Sequence, residues 1–582
     1  MNYGLLKIRS DFFCKYTKAT EKILPETLKT FFYPKNTNFV LKKMKMRYIF
    51  LSFIVLCFNI FEIMAQSLSL IPLPAEIKQG TGFYTLTSAT KVVLKTDSAE
   101  IKRTCDFFLD LINPCTGLNI GYASSSASSI IVELDSLIAH PEGYRLKVTT
   151  RDITIQAQTP AGIFYAFQTL RQLLPPVIES RTMVANRRWV IPAVEINDAP
   201  RFPYRGLMLD VARHFYPVND VRRFIDLMAM HKYNYLHLHL TDDQGWRIEI
   251  PAYPRFQNIS AWRRETIIGH LNDEPRQYDG VRHGGYYKQA ELKELVQYAA
   301  ERYITIVPEI EMPGHVTALL AAYPDLACTG SSFEVARDWG IFSNLLCPRE
   351  DTFLFLERIL NEVMNIFPGK YIHIGGEECP KEQWQKSEFC RNTKIQNHLH
   401  TDEQLQTWFM SRIARHVQSH GREVIGWDEM LDGGDISGAT IMSWRSEQGG
   451  IDAARKGNHV IMTPHRICCF DSYQWSKRDE EPLAQNVYLP LSMVYQFDPV
   501  PKELDNDQKQ HIIGTQGNLW TEYVADIHQA EYMVYPRACA LAEVAWTPAD
   551  QKSYNLFRNR LIEHSKRLQI LNVNYARHFL IR

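Results

Sequence analysis

The chain is poor in the features that would assign it quickly. It has no net charge, since 65 Lys and Arg balance 65 Asp and Glu over 582 residues. The balance is uneven: residues 1–65 hold 11 basic and 4 acidic side chains, leaving 54 against 61 in the rest, a net of −7. A mildly acidic body lacks the electrostatic footprint of a nucleic-acid binder, so nucleic acid is not expected as a partner. There is no internal repeat of fixed period, which excludes solenoids and propellers. Low-complexity and collagen-like bias are also missing from a composition that is 45% hydrophobic and 22% charged, as expected for a globular protein. No Cys/His set has zinc spacing, and neither a metal nor another cofactor is expected. After residue 66 no segment is apolar enough to span a membrane.

One apolar run does stand near the start. The basic cluster Lys42-Lys43-Met44-Lys45-Met46-Arg47 precedes an almost wholly apolar stretch from Tyr48 to Ile63, which ends at Ala65-Gln66. A charged start, a short apolar core and a small residue at the cut are the marks of a secretory signal peptide. The run is shorter than the ~20 residues of a spanning helix, so cleavage near Ala65 and export (periplasmic, cell-surface or secreted) are expected. Translation from Met44 or Met46 would place the leader at the chain's start. Cys57 follows Val-Leu rather than a small residue, which argues against lipidation there. Of 11 cysteines, Cys14 and Cys57 fall in this segment, and the nine left imply at least one free thiol.

The length suggests two to four domains. Residues 66–197 alternate, as in Tyr144-Arg145-Leu146-Lys147-Val148 and Ile153-Thr154-Ile155-Gln156-Ala157, and then show helical spacing from Gly162 to Leu174. Strands followed by helices predict a small α+β domain, bounded by Asp198-Ala199-Pro200. From Arg205 the pattern is strand, loop, helix, repeated. Strands are expected near 206–210, 235–241, 304–310, 371–375, 423–427, 439–444, 459–463 and 512–517. Helices are expected at Val221–His231, Lys288–Arg302, Thr352–Ile366 and Gln404–His420. A doubly wound open sheet would also alternate. Charged residues after nearly every strand favour an α/β fold with one shared mouth, a (β/α)₈ barrel over 198–548, with a terminal helix and tail over 549–582.

The stretch Tyr371-Ile372-His373-Ile374-Gly375-Gly376-Glu377-Glu378 reads as a buried strand, a sharp glycine turn and two carboxylates at the tip. Adjacent carboxylates raise each other's cost of ionisation, and an enzyme that cleaves an acetal needs one acid and one charged group. This stretch resembles the His-x-Gly-Gly-Asp-Glu signature of glycoside hydrolase family 20, the β-N-acetylhexosaminidases, and the resemblance extends over roughly residues 67 to 548. It implies a retaining, exo-acting, substrate-assisted hydrolase of glycans ending in N-acetylhexosamine. Glu378 would be the acid and later the base, and Glu377 would orient the acetamido group. Asp242 and His315 would form a chain reaching Glu378. Arg205 would hold sugar hydroxyls, Trp427, Trp444 and Trp520 would wall the sugar, and Asp471 and Glu522 would accept hydrogen bonds from its hydroxyls. The alternating His237 and His239 are read as structural. Cys328 and Cys347 flank one long loop and are the best candidate bridge, a pairing found in some family members. Cys105 with Cys115, and Cys379 with Cys390, are further candidates.

Two positions depart from the pattern. The family's Asp is Glu377, and a Tyr that donates to the acetamido oxygen is Cys469, a shorter and weaker donor. Both fall on one substituent, so the longer carboxylate is expected to move into the space left by the missing phenol. Two other readings stay open: a glycan-binding protein on a decayed barrel, and a glycosidase for sugars without the acetamido group.

Overall fold

The computed structural model describes residues 68–580 apart from Ser331, so the expected leader lies outside the described residues. Residues 76–198 form a seven-stranded mixed sheet. In spatial order its strands are Glu76–Leu86, Trp189–Asp198, Tyr144–Val148, Asp152–Ala157, Ser129–Leu134, Lys91–Leu94 and Gly121–Tyr122. Alternation gives it one apolar face; Tyr144, Leu146 and Val148 are buried while Arg145 and Lys147 are exposed. The helix Pro160–Leu173 packs on that face, and the helix Ala99–Thr116 packs beside it. The second starts at Ser98, whose Oγ accepts the Ile101 N–H, and stops where Gly117 turns left-handed at φ 68°. The first is buried continuously from Gly162 to Leu173. A helix buried all round has neighbours on both sides, and here the second neighbour is the barrel: the Gln172 amide donates to the Met230 carbonyl at 3.3 Å.

Eight parallel strands close the expected barrel. They are Tyr204–Asp210, Tyr235–His239, Thr305–Glu309, Tyr371–His373, Glu423–Trp427, Thr440–Ser443, Val460–Met462 and Ile512–Leu519, here called strands one to eight. Helices such as Val218–Met230, Gln289–Ala300, Glu350–Ile366 and Asp402–Ser419 cross between them. Strand four is shorter than expected. It ends at His373, and Gly375 (φ 65°) and Gly376 (φ 105°) then carry the chain through left-handed backbone. Tyr204, Met208, Val307, Tyr371, Ile425, Met442 and Ile461 pack together inside the barrel, so the interior is a filled core rather than a pore.

Cys328 and Cys347 are bridged, with Cα atoms 4.6 Å apart. The other two candidate pairs are not formed, because Cys105, Cys115, Cys379 and Cys390 are all reduced. The Cys390 thiol lies instead 3.3 Å from the Cys328 sulfur. The terminal helix, Tyr554–Ile570, ties the barrel to the preceding domain: Arg560 donates to the Leu70 carbonyl at 3.1 Å and Arg567 to Glu179 at 3.1 Å.

Arg205 corrects one expectation. It is the second residue of strand one, at the end opposite the mouth, and its guanidinium is buried against the N-terminal domain. It pairs with both oxygens of Glu142 at 2.7 and 2.8 Å, and donates to the Tyr165 hydroxyl at 3.1 Å and to the Phe202 carbonyl at 2.9 Å. No donor is left for a sugar; the side chain is a strut between domains. Burial alone would raise the Glu142 pKa, but Arg205 outweighs it and holds the carboxyl below its ordinary 4.5. A depressed carboxylate stabilises the fold above its unfolded pKa and loses that contribution as pH falls through the folded value. Removing one partner of a buried pair costs about 3–5 kcal/mol. Arg205→Ala should therefore lower Tm at neutral pH, by a margin that shrinks as pH falls below 4.5, while KM stays unchanged. A raised KM at unchanged Tm would return Arg205 to the binding site.

Candidate active site

The C-terminal ends of the strands surround a cavity of about 210 Å³. Its lining includes nine of the expected residues: His315, Glu377, Glu378, Trp427, Trp444, Cys469, Asp471, Trp520 and Glu522. Asp242 lies just behind it. Arg205 is at the other end of the barrel, and the arginine that lines the cavity is Arg213, three residues past strand one. Arg213 pairs with Asp210 at 3.2 Å and Asp242 at 2.9 Å, and lies 5.0 Å from the Trp520 ring. Position relative to the strand end was the signal that could have found it, since residues past the strand end face the mouth of such a barrel.

His315 is held by two carboxylates rather than one. Its Nδ1 is 3.2 Å from Asp242 and 3.0 Å from Asp243. Its Nε2 is 3.6 Å from Glu378 Oε2, long for a hydrogen bond but the contact through which the chain reaches the acid. Asp243 is itself fixed by the Thr317 N–H at 2.9 Å. Burial opposes charge on the imidazole, yet Asp242 outweighs it and raises the pKa well above its usual value, so His315 is a cation at neutral pH. His315 (φ 51°) and Glu378 (φ 43°) both have left-handed backbone, which costs a non-glycine residue about 1–2 kcal/mol.

The two carboxylates at the tip of strand four differ sharply. The Glu378 side chain is 34% exposed, and it lines both this cavity and a neighbouring one of about 350 Å³. Glu377 is only 5% exposed. Burial raises its pKa, and the acids that add to the effect are Glu311 and Glu309, so the expectation that Glu377 and Glu378 act mainly on each other is corrected. The Glu377 carboxyl is hydrogen-bonded to that of Glu311, and it lines the same cavity as Cys469.

Three tryptophans wall the cavity, and two are oriented by acids, one buried and one half-buried. Trp427 Nε1 donates to Glu309 at 2.8 Å and Trp444 Nε1 to Glu429 at 2.8 Å. Trp520 lies 5.9 Å from Trp427, ring to ring. Asp471 Oδ1, Glu522 Oε2 and Glu377 Oε2 are buried and have no hydrogen-bond donor among the described residues. Burial raises the pKa of Asp471, with Glu522 adding to it, and burial raises that of Glu522 against the pull of Arg213. Native interiors rarely leave such atoms unpaired, so these are acceptors waiting for a ligand's donors. The Cys469 thiol lies on the same wall and burial pushes its pKa up.

Ligand-type atoms of His237, Glu309 and His373 converge within 4.8 Å of one another, as do those of Asp242, Asp243 and His315. The donor set fits hydrogen bonding. Glu309 Oε1 is 2.7 Å from His373 Nδ1 and accepts the Trp427 N–H at 2.8 Å. Its Oε2 is 3.0 Å from His237 Nε2 and bonded to His239 Nδ1. An indole nitrogen can only donate, so hydrogen bonds from Trp427 and His239 fix the carboxylate from both of its oxygens. The strand-two histidines thus take part in the network around Glu309.

Residues 202–549 match Glycosyl hydrolase family 20, catalytic domain, and residues 67–199 match Glycosyl hydrolase family 20, domain 2. A beta-hexosaminidase of Porphyromonas gingivalis is 38% identical over 515 residues, which span 88% of this chain and 64% of that protein. The structure of a mutant Streptomyces plicatus beta-hexosaminidase in complex with product GlcNAc is similar at a TM-score of 0.76 and 32% identity, covering 88% of this chain and 96% of that one. An exo beta-N-acetylglucosaminidase from Vibrio harveyi, in complex with N-acetylglucosamine, gives a TM-score of 0.77 at 30% identity, over 88% and 78% of the two chains. With a matching barrel, a matching preceding domain and this pocket, the chain belongs to glycosyl hydrolase family 20.

Proposed function

We propose that the chain is an exo-acting, retaining β-N-acetylhexosaminidase, exported from the cell, that removes terminal β-linked GlcNAc or GalNAc from glycans. One observation carries this reading: two buried carboxyl oxygens without a partner among the described residues, on Asp471 and Glu522, line a small pocket walled by tryptophan, together with the Glu377 carboxyl. Aromatic faces suit the C–H surface of a pyranose, and the orphan oxygens suit its hydroxyl and amide N–H groups. A site built to bond such donors discriminates strongly against a ligand that lacks them.

In the reaction the acetamido oxygen attacks C1 as the glycosidic bond breaks, and water then opens the oxazolinium ion. Glu378 sits between the sugar pocket and the second cavity, where the leaving group would lie. It protonates the departing oxygen and later takes a proton from water. The His315 cation favours the carboxylate that Glu378 becomes between the two steps. Glu377 accepts the acetamido N–H. Arg213, not Arg205, presents its donors to the sugar's hydroxyls. Cys469 replaces the phenol that would bond the acetamido oxygen. A net hydrogen bond is worth ~0.5–1.5 kcal/mol, or up to about tenfold in rate, so the enzyme should be slow rather than silent.

Paired aryl glycosides with and without the 2-acetamido group test the reading. Hydrolysis should require the acetamido group, and a thiazoline analogue of the oxazolinium ion should inhibit competitively and bind ~10²-fold or more tighter than N-acetylglucosamine. Equal hydrolysis of both glycosides, with trapping of a covalent glycosyl-enzyme, would make Glu377 a nucleophile instead. Glu378→Gln should cost ~10²–10⁴-fold in kcat/KM for aglycones that need a proton, and much less for dinitrophenyl glycosides; a uniform modest loss would remove Glu378 from the acid role. Cys469→Tyr should raise kcat/KM on acetamido sugars by up to about tenfold, and a fall would show that the wall has closed around the smaller thiol.

A further inference from the structure

Behind Glu377 lies a carboxyl that the reaction above does not use. Glu311 stands two residues past strand three and is 1% exposed. Neither of its oxygens has a hydrogen-bond donor from the surrounding side chains or backbone, and Glu377 Oε2 also lacks one. What Glu311 faces is Glu377, carboxyl to carboxyl at hydrogen-bonding distance. Two carboxyls in such contact must share a proton, because neither anion can donate.

The fold keeps this place open. The Glu311 N–H is tied to Thr241 Oγ1 at 2.9 Å. Across from it, a Cβ at Gly375 would come within 2.1 Å of Glu311 Oε2 and 2.7 Å of Oε1. The first glycine of the signature therefore clears room for Glu311 as well as turning the chain. Around the pair stand Glu309, Asp242, His239 and His315; His239 Nδ1 is 3.9 Å from Glu311 Oε1. The His239 and His315 cations are already matched by Glu309 and Asp242. A second negative charge on the pair would have no counterion.

We propose that Glu311 is a positioning residue that shares one proton with Glu377 and so presents Glu377 to the acetamido N–H as a hydrogen-bonded carboxylate. This rests on the reading of Glu377 as the acetamido-orienting group. Burial raises the pKa of both carboxyls and the charge of Glu309 adds to it; Glu311 also raises that of Glu377, whereas the hydrogen bond to Glu377 works the other way on Glu311 without cancelling its rise. Groups shifted upward keep their proton at neutral pH and lose it as pH rises. Loss of the shared proton sets two buried anions against each other and drives Glu377 out of place. The pair then writes an alkaline limb into catalysis that is independent of Glu378.

The test is the pH profile of kcat/KM with dinitrophenyl N-acetylglucosaminide, whose leaving group needs no proton from Glu378. The wild type should show an alkaline limb. In Glu311→Gln, which keeps a donor toward Glu377 but no shareable proton, the limb should vanish or move up by about one pH unit or more. Glu311→Asp, which keeps a carboxyl, should retain it. No limb in the wild type, or a uniform loss in Glu311→Gln with the limb unmoved, would reduce Glu311 to a structural role. If Glu311→Gln does not fold, wild-type thiazoline binding decides: affinity should weaken along the same limb, and flat affinity across it overturns the inference. Failure of the functional reading looks different, because the wild type would then show no preference for the acetamido glycoside at any pH.

Discussion

A single carboxylate, Glu309 at the end of strand three, gathers nitrogen donors from three neighbouring strands: His237 and His239 from strand two, His373 from strand four and Trp427 from strand five. It is fully buried, which by itself would favour the neutral acid, but His373, His239 and His237 outweigh burial and hold its pKa well below the usual range. Burying such a cluster is expensive unless every lone pair is used. Here Glu309 holds one hydrogen bond on each oxygen, from Trp427 and from His239, and the result is orientation. Trp427 is aimed into the pocket by its bond to Glu309. His239, pinned on one side by Glu309 and raised to about 10, binds Asp242 on the other at 2.9 Å. Asp242 in turn holds Arg213 and His315. The groups that meet the substrate are thus set, link by link, from one residue beneath them.

Above this layer the pattern reverses. Glu309 and Asp242 are matched by cations and stay charged, whereas the buried Glu311, Glu377 and Asp471 have raised pKa values, as does the half-buried Glu522 despite the pull of Arg213. Carboxyls whose pKa values are raised bond hydroxyls and amides at a lower desolvation cost than bare anions. The cation beside it, Arg213, is shared between Asp210 and Asp242, so its position belongs to the network as much as to the ligand. The N-terminal domain supplies none of the residues that line this pocket. It packs on the opposite end of the barrel through Arg205–Glu142 and Lys232–Asp198, the latter at 3.0 Å.

Much of this was legible beforehand. Strong period-two and period-3.6 patterns located the eight strands and their helices to within a few residues, and the glycine pair at 375–376 marked the turn that carries the two glutamates. Arg205 was misplaced because two arginines eight residues apart flank one strand, and only the strand's direction tells which end faces the mouth. Glu311 carried no comparable local signal. Its partner lies 66 positions away, in the next strand's turn, and local pattern carries no information about that pairing.

The sequence by itself determined the class of architecture and placed the adjacent Glu377 and Glu378 and the three tryptophans after barrel strands, because those depend on hydrophobic period, turn chemistry and local spacing. Only the tertiary structure decided which charges are matched and which are left to share a proton. Side-chain electrostatics depends on burial and on distances of a few ångströms between residues remote in sequence, and closure of the barrel sets both. The same closure made Arg205 a strut, put Arg213 at the mouth and turned Glu377 toward Glu311.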